Sequence, residues 1–404
     1  MAAALNRLLA YEPHEAPAVA WSFAYFFLLL CSYYLLRPVR DALAVEAGTQ
    51  ALQWLFTATF IAMLALVPLF GWLCQRLPRA RLLPAVYAFF ALNLLAFVFA
   101  LDARVFFVWL SVFNLFVVSV FWSYMSDLFD SGQAARLYGT IAAGGSCGAI
   151  AGPLLAASLV GAIGTTGLLL LSALLLAATV VCIVRLAQWS RAHPRRGDPP
   201  ADEPIGGSVL EGARTALSSP FLLAICGYLF CYTALSTALY FQQIDIVRAA
   251  VADIGARTRL FASVDLTVNV LTLLIQLFAF ARLSPLLGIT GMLALMPILS
   301  IAGFLWLGAA PTLAALIAFG VTRRVGEFAI SKPARETLFT VVPRSERYKA
   351  KNFIDTVVYR GGDALSGWLF GMLGAVAVLA AGLSMVWTAL AYYLGSRMKS
   401  WSSR

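Results

Sequence analysis

Residues 190–218 read SRAHPRRGDPPADEPIGGSVLEGARTALS. Arg191, Pro194, Arg195, Arg196, Pro199, Pro200, Asp202, Glu203, Pro204 and the pair Gly206-Gly207 combine helix breakers with charges, which is the composition of a flexible, solvated linker. The segment stands out because the rest of the chain is so different. Of 404 residues, 61% are hydrophobic and 12% charged, and the mean hydropathy is +0.85. A soluble globular domain of this length needs far more polar surface, so the chain reads as a polytopic membrane protein. Working outward from the linker, six apolar stretches precede it and six follow it. They lie near residues 18–40, 51–74, 82–101, 104–127, 138–161 and 164–186, then 219–244, 259–282, 285–308, 311–333, 352–375 and 377–397. Each approaches the roughly 20 apolar residues that a membrane-crossing helix requires. The expected fold class is all-α, with twelve transmembrane helices in two six-helix halves, residues 1–189 and 219–404, joined by a linker over 190–218.

Charge placement gives the topology. Arg76, Arg79 and Arg81 follow the second span, Arg185, Arg191, Arg195 and Arg196 the sixth, Arg344, Arg347, Lys349 and Lys351 the tenth, and Arg397, Lys399 and Arg404 end the chain. With twelve spans these loops share one side, which the positive-inside rule makes cytoplasmic, and both termini with it. The net charge of +10 is thereby accounted for without nucleic acid. The apolar run after Pro17 continues into Arg37-Pro38-Val39-Arg40-Asp41 without a small-residue cleavage site, so the first helix is expected to be retained.

Several chemistries are excluded or left without candidates. The two histidines, His14 and His193, lie in polar segments outside the spans, so a histidine metal site or proton relay within the membrane is not expected. The six cysteines fall inside spans without paired spacing and read as buried thiols. With neither P-loop nor nucleophile-elbow motif, no enzyme, cofactor or metal is expected.

Basic residues inside apolar runs carry the functional signal, because a charge near the bilayer centre costs about 3 kcal/mol or more and persists only beside a partner, a cavity or a substrate. Arg37 and Arg40 lie toward the far end of span 1, where the positive-inside rule disfavours them, and Asp41 stands four residues after Arg37 at ion-pair spacing. Span 10 holds Arg323 and Arg324, with Glu327 able to neutralise one of the two, then Lys332 and Arg335 near its cytoplasmic end, where snorkelling competes with substrate contact. Span 11 holds Asp355, Tyr359, Arg360 and Asp363, the last two spaced to pair. Asp265, Asn269 and Gln276 recur at helical spacing on span 8, and Asp265 is the best candidate for an ion-coupling carboxylate. Tyr232 in span 7 and Trp122 in span 4 offer rings that stack on a planar ligand or pack against other helices. Arg37, Arg40, Arg323, Arg324, Arg360, Trp122 and Tyr232 are therefore candidate substrate residues, and Asp41, Asp265, Asn269, Glu327, Asp355 and Asp363 candidate coupling or gating residues.

Two six-helix halves joined by a basic linker resemble the major facilitator architecture, in which halves rock around a midplane site. A narrower resemblance rests on Tyr34-Leu35-Leu36-Arg37-Pro38-Val39-Arg40-Asp41-Ala42-Leu43, on Phe121-Trp122-Ser123-Tyr124 with Ala135-Arg136-Leu137-Tyr138, and on Phe328 to Glu336 followed by Tyr348-Lys349-Ala350-Lys351-Asn352-Phe353-Ile354-Asp355. These runs resemble motifs of the ATP/ADP translocases of plastids and obligate intracellular bacteria. The resemblance implies phosphate contacts at Arg40, where that family has lysine, and at Lys349 or Lys351. The stretch from Leu110 to Phe121 lacks the acid that family carries there. Together these readings lead to a secondary active transporter in a bacterial inner membrane, monomeric, exchanging a small organic anion such as a nucleotide or other phosphorylated metabolite. Proton-coupled movement of a different solute, and a non-transporting sensor or assembly partner, are the alternatives.

Overall fold

A computed structural model of the chain describes residues 12–76, 79–193, 214, 216–217, 219–342, 350–351, 353–374 and 377–402. Most of the linker lies outside these residues, as do Arg344, Arg347, Lys349 and the side chain of Asp355. The described residues are helical almost throughout: α1 Ala16–Ala47, α2 Thr49–Arg76, α3 Arg79–Phe99, α4 Ala103–Leu128, α5 Ser131–Ala192, α6 Pro220–Ala250, α7 Ile254–Leu274, α8 Phe280–Ala309, α9 Leu313–Gly326, α10 Lys332–Leu338, α11 Tyr359–Leu373 and α12 Ala377–Ser402. Nine helices among the described residues are long and apolar enough to cross a membrane.

Helices and crossings do not correspond one to one. The 62 residues of α5 would measure about 90 Å, roughly three times the hydrocarbon thickness. Gly164 divides it with φ 63° and ψ −173°, a conformation that only glycine adopts without strain, so residues 131–163 and 165–192 are two crossings. Gly288, with φ 58° and ψ 176°, divides α8 in the same way. Residues 254–287 then form one crossing, interrupted by a π-helical turn at Ile275–Ala279, and residues 289–309 the next. The tenth crossing is α9, a π turn at Glu327–Ser331 and α10; the eleventh is a π turn at Ile354–Val358 and α11. The result is the twelve-helix architecture. Loops are short because capping residues stand next to the helices: Asp102 accepts from the N–H groups of Arg104 and Val105, Asp130 and Gln133 form a reciprocal capping box, and Thr312 accepts from Ala315.

Residue contacts group the chain into two units. Unit 1 comprises residues 1–43, 62–201 and 253–266, and unit 2 residues 44–61, 202–252 and 267–404. Unit 1 is built on close backbone approach. Gly144, Gly148 and Gly152 of α5 face α1 so closely that a Cβ would fall 2.4, 2.3 and 2.7 Å from the carbonyl oxygens of Phe23, Phe27 and Cys31. In a membrane, where helix association depends on van der Waals contact, small residues are what permits this. Ser32 and Ser172 exchange a hydroxyl hydrogen bond of 2.7 Å, and the hydroxyls of Tyr25 and Tyr87 meet in the aromatic core around Phe121. In unit 2, α12 packs on α6 and α8, and α11 on α6. Trp387, Tyr228 and Phe304 are fully buried there. Cys147 is exposed, unlike the other cysteines whose environment is described.

Before α1, a turn at residues 12–15 is pinned to the start of α5. Glu15, 1% exposed, accepts from Gln133 Nε2 (2.9 Å), Arg136 Nη2 (3.0 Å) and Arg136 Nη1 (3.2 Å), and from the Glu12 N–H. Trp189 donates to the His14 carbonyl, and the rings of His14 and His193 stack at 5.9 Å. Burial alone would raise the Glu15 pKa. The Glu12 N–H, Arg136 and Gln133 outweigh it and hold the carboxyl below its ordinary value.

Two outcomes are expected. Gly148→Ala places a methyl on a carbonyl oxygen and should cost about 1–3 kcal/mol in thermal unfolding of the purified protein, whereas Gly139→Ala, with open space around it, should be neutral or slightly stabilising. Because the folded Glu15 pKa is depressed, its contribution is present above the unfolded value of about 4.3 and lost as pH falls through the folded value. Glu15→Gln should therefore melt below the wild type at pH 7, and the gap should close in acid; a gap of constant size would contradict the assignment.

Candidate functional site

A cation buried in a helix bundle must be matched by a carboxylate, by dipoles or by a ligand, and the buried cations of this chain divide along those lines. On α1, the sequence spacing suggests that Asp41 pairs with Arg37. It pairs instead with its neighbour Arg40, whose Nε and Nη2 both donate to Asp41 Oδ1 at 3.0 and 2.7 Å, while the Arg40 guanidinium lies 5.1 Å from the Phe107 ring. Arg37 reaches α7, where its Nη1 stands 3.7 Å from Oδ1 of Asp265, which is 1% exposed. Both residues belong to unit 1, so α7 is tied to α1 through residues on opposite sides of the linker. Asn269 follows Asp265 by one turn and is half-buried.

On the tenth crossing the pairing also departs from the spacing. Glu327 is 3% exposed and takes Arg335, at 3.2 Å, rather than Arg323 or Arg324. The reason is the π turn at Glu327–Ser331. It absorbs one residue, so positions 327 and 335 behave as if seven apart, two full α-turns, and share a face. Arg335 is consequently 6% exposed, in an internal ion pair and not snorkelling, while Lys332 is exposed. Gln276 in the π turn of the eighth crossing donates to the carbonyl of Phe328 in the π turn of the tenth, at 3.2 Å. Arg360 and Asp363 stand 3.7 Å apart, as their spacing suggests. Lys351 is paired with Glu336 beside the Phe339 ring.

With Glu327 taken by Arg335, Arg323 has a different environment. It is 5% exposed, and no carboxylate among the described residues is ion-paired with it. Its Nη1 donates to Ser236 Oγ at 2.9 Å and its Nη2 to the Tyr232 carbonyl at 3.0 Å. Those two acceptors are themselves linked by the Ser236 hydroxyl, which donates to the Tyr232 carbonyl at 2.8 Å. They therefore engage the Nη1/Nη2 edge of the guanidinium together, and Nε remains without a hydrogen-bond partner. The cation lies 5.2 Å from the Tyr232 ring, which in turn stands 6.1 Å from Tyr359 and 6.0 Å from Trp387. Arg324 is half-buried in the same turn. Trp122, by contrast, packs against Phe26, Phe121 and Tyr138 in unit 1. Ser236 was not legible as a site residue because a serine in a membrane helix ordinarily bonds only its own backbone.

The profile described as the Major Facilitator Superfamily matches residues 22–362. The chain belongs to the Major Facilitator Superfamily. No curated protein matches the sequence. Among solved structures, a bacterial homologue of the human lysosomal transporter Spinster, in an inward-facing and unoccupied conformation, is 14% identical over 96% of this chain and 98% of that one, with a TM-score of 0.65. The nucleoside transporter NupG is 13% identical over 96% and 100%, with a TM-score of 0.66. The POT family transporter PepTSo is 11% identical over 98% and 99%, with a TM-score of 0.65. At these identities the likeness is one of fold. The superfamily and the fold make this protein a membrane transporter and not an enzyme; the match does not reach the ATP/ADP translocases.

Asp265→Asn leaves the half-buried Arg37 without its carboxylate and should lower stability by about 1–3 kcal/mol. Arg37→Gln combined with Asp265→Asn should cost clearly less than the two single changes added, as read by unfolding of all four proteins; additive losses would show that the pair does not interact.

Proposed function

We propose that this superfamily member is a secondary active transporter that carries a small organic anion by alternating access, with Arg323 as the anchor. The observation that carries the reading is the Arg323 guanidinium, buried, held by neutral groups and with its Nε edge unspent. A planar guanidinium presents paired N–H donors that match carboxylate and phosphate oxygens, and a buried one without a counter-ion gains most from an anion. Tyr232 and Tyr359 supply rings beside it for a planar substituent. Nucleotides and other phosphorylated metabolites are the group to test first, moving by exchange. The halves 1–189 and 219–404 are the bodies that alternate, in a bacterial inner membrane with both termini cytoplasmic.

A second reading, proton coupling, has its own support. Asp265 and Glu327 are buried carboxylates, each facing an arginine, and protonating either would release its partner. Asp265→Asn would then abolish gradient-driven uptake and spare exchange.

The test is counterflow of labelled anions into proteoliposomes. Arg323→Gln should reduce exchange by about 100-fold or more, the effect of losing a buried charge-assisted contact worth about 3 kcal/mol. Arg323→Lys should restore little, since it lacks the fork. Unchanged exchange in Arg323→Gln would refute the anchor.

A further inference from the structure

The second arm of α8 and α9 enclose a cavity of about 290 Å³. Its buried lining includes Arg323, Ser300 and Phe319, and its rim Leu299, Ala302 and Trp306, which are exposed. Gly303 lies so close to the Phe319 ring that a Cβ would stand 2.1 Å from it, so the wall is shaped by the absence of a side chain there. Two polar groups of this lining are buried without a hydrogen-bond partner: Arg323 Nε and the hydroxyl of Ser300, which is 1% exposed. A serine in a helix can always turn its hydroxyl onto the carbonyl one turn back, as Ser158, Ser236, Ser263 and Ser384 do. Ser300 does not, nor do the buried Ser22 and Ser366; what distinguishes Ser300 is that it lines this cavity, where a ligand could complete a hydrogen bond whose absence costs about 1–3 kcal/mol. Any acceptor oxygen can complete either group, and beside a guanidinium an anionic one gains most.

The walls describe the rest of the ligand. At about 290 Å³ the cavity is at the small end of ligand pockets and admits a head group with the first part of a chain. Beyond it, Leu299 and Ala302 are exposed apolar residues on a crossing helix, and Trp306 stands one turn before its end at Ala309, the position of an interfacial tryptophan. A chain leaving over this rim enters hydrocarbon and not water.

We infer that this lateral cavity binds a single-chain amphipathic anion, with its carboxylate or monophosphate head on Arg323 and Ser300 and its apolar chain passing between Leu299 and Trp306 into the bilayer. This rests on the reading of Arg323 as an anion anchor and adds to it an apolar tail and a route of entry from the lipid. The shared chemistry is an anionic head on one chain, whether a free fatty acid or a lysophospholipid.

The experiment uses the full-length protein in phosphatidylcholine nanodiscs with three photoreactive probes of equal chain length: a fatty acid, the corresponding alcohol and a lysophosphatidate. The fatty acid, the lysophosphatidate or both should label the segment 296–323 at least about tenfold more than the alcohol, and the stronger of the two identifies the source. Ala302→Trp should reduce that labelling several-fold; Leu299→Trp provides the same block if the first variant does not fold, folding being read from the melting temperature. Ser300→Ala should reduce the preference for the charged probes over the alcohol. Equal labelling by acid and alcohol, or labelling insensitive to the blocking variants, overturns the inference. Exchange of hydrophilic anions without labelling here would leave the anchor intact and remove the lateral site; labelling without exchange would do the reverse.

Discussion

The cost of an uncompensated charge at low dielectric organises this molecule. A guanidinium removed from water loses several kcal/mol of hydration that only a carboxylate, aligned dipoles or a ligand can return. Arg37 takes Asp265, Arg40 takes Asp41, Arg335 takes Glu327 and Arg360 takes Asp363. Only the first of these joins two helices, so it alone constrains which faces of α1 and α7 meet; the other three neutralise a charge within one crossing. Arg323 differs from these four: its hydrogen-bond partners are a hydroxyl and a carbonyl, and Glu327, already held by Arg335, acts on it only at longer range. The functional reading follows from that difference and not from the number of arginines.

The two contact units meet the same demand by different means. Unit 1 uses glycines that bring backbones together and an aromatic core around Phe121, an arrangement with little freedom to change register. The π turns among the described residues all follow the linker, in the eighth, tenth and eleventh crossings. A π turn leaves a locally widened helix that can be relieved or moved at small cost, and such turns recur at functional sites. Two of them are joined by Gln276 and Phe328, so a change at one is felt at the other.

Architecture was legible in the sequence because hydropathy in a membrane is a one-dimensional signal: apolar stretches of the right length, a polar linker and one-sided loops of Arg and Lys. Site detail was legible only where partners lie within a helical turn. Arg360 and Asp363 are an example. Arg37 and Asp265 lie on helices from opposite sides of the linker, and no spacing rule connects them. Glu327 and Arg335 were hidden for a subtler reason, since counting at 3.6 residues per turn fails across a π turn that the sequence does not announce. Ser236 looks like any serine in a membrane helix until Arg323 is seen donating to it, and Ser300 until its hydroxyl is found without a partner beside a cavity.

The junction at Gly164 constrains motion in a way that is separate from binding. Residues 131–163 and 165–192 are joined through a single non-helical residue, which leaves no slack between two crossings. An arm that slides along its own axis carries the other toward the same membrane face. The two crossings are therefore coupled in height above the membrane plane while Gly164, the most permissive of residues, leaves the angle between them adjustable.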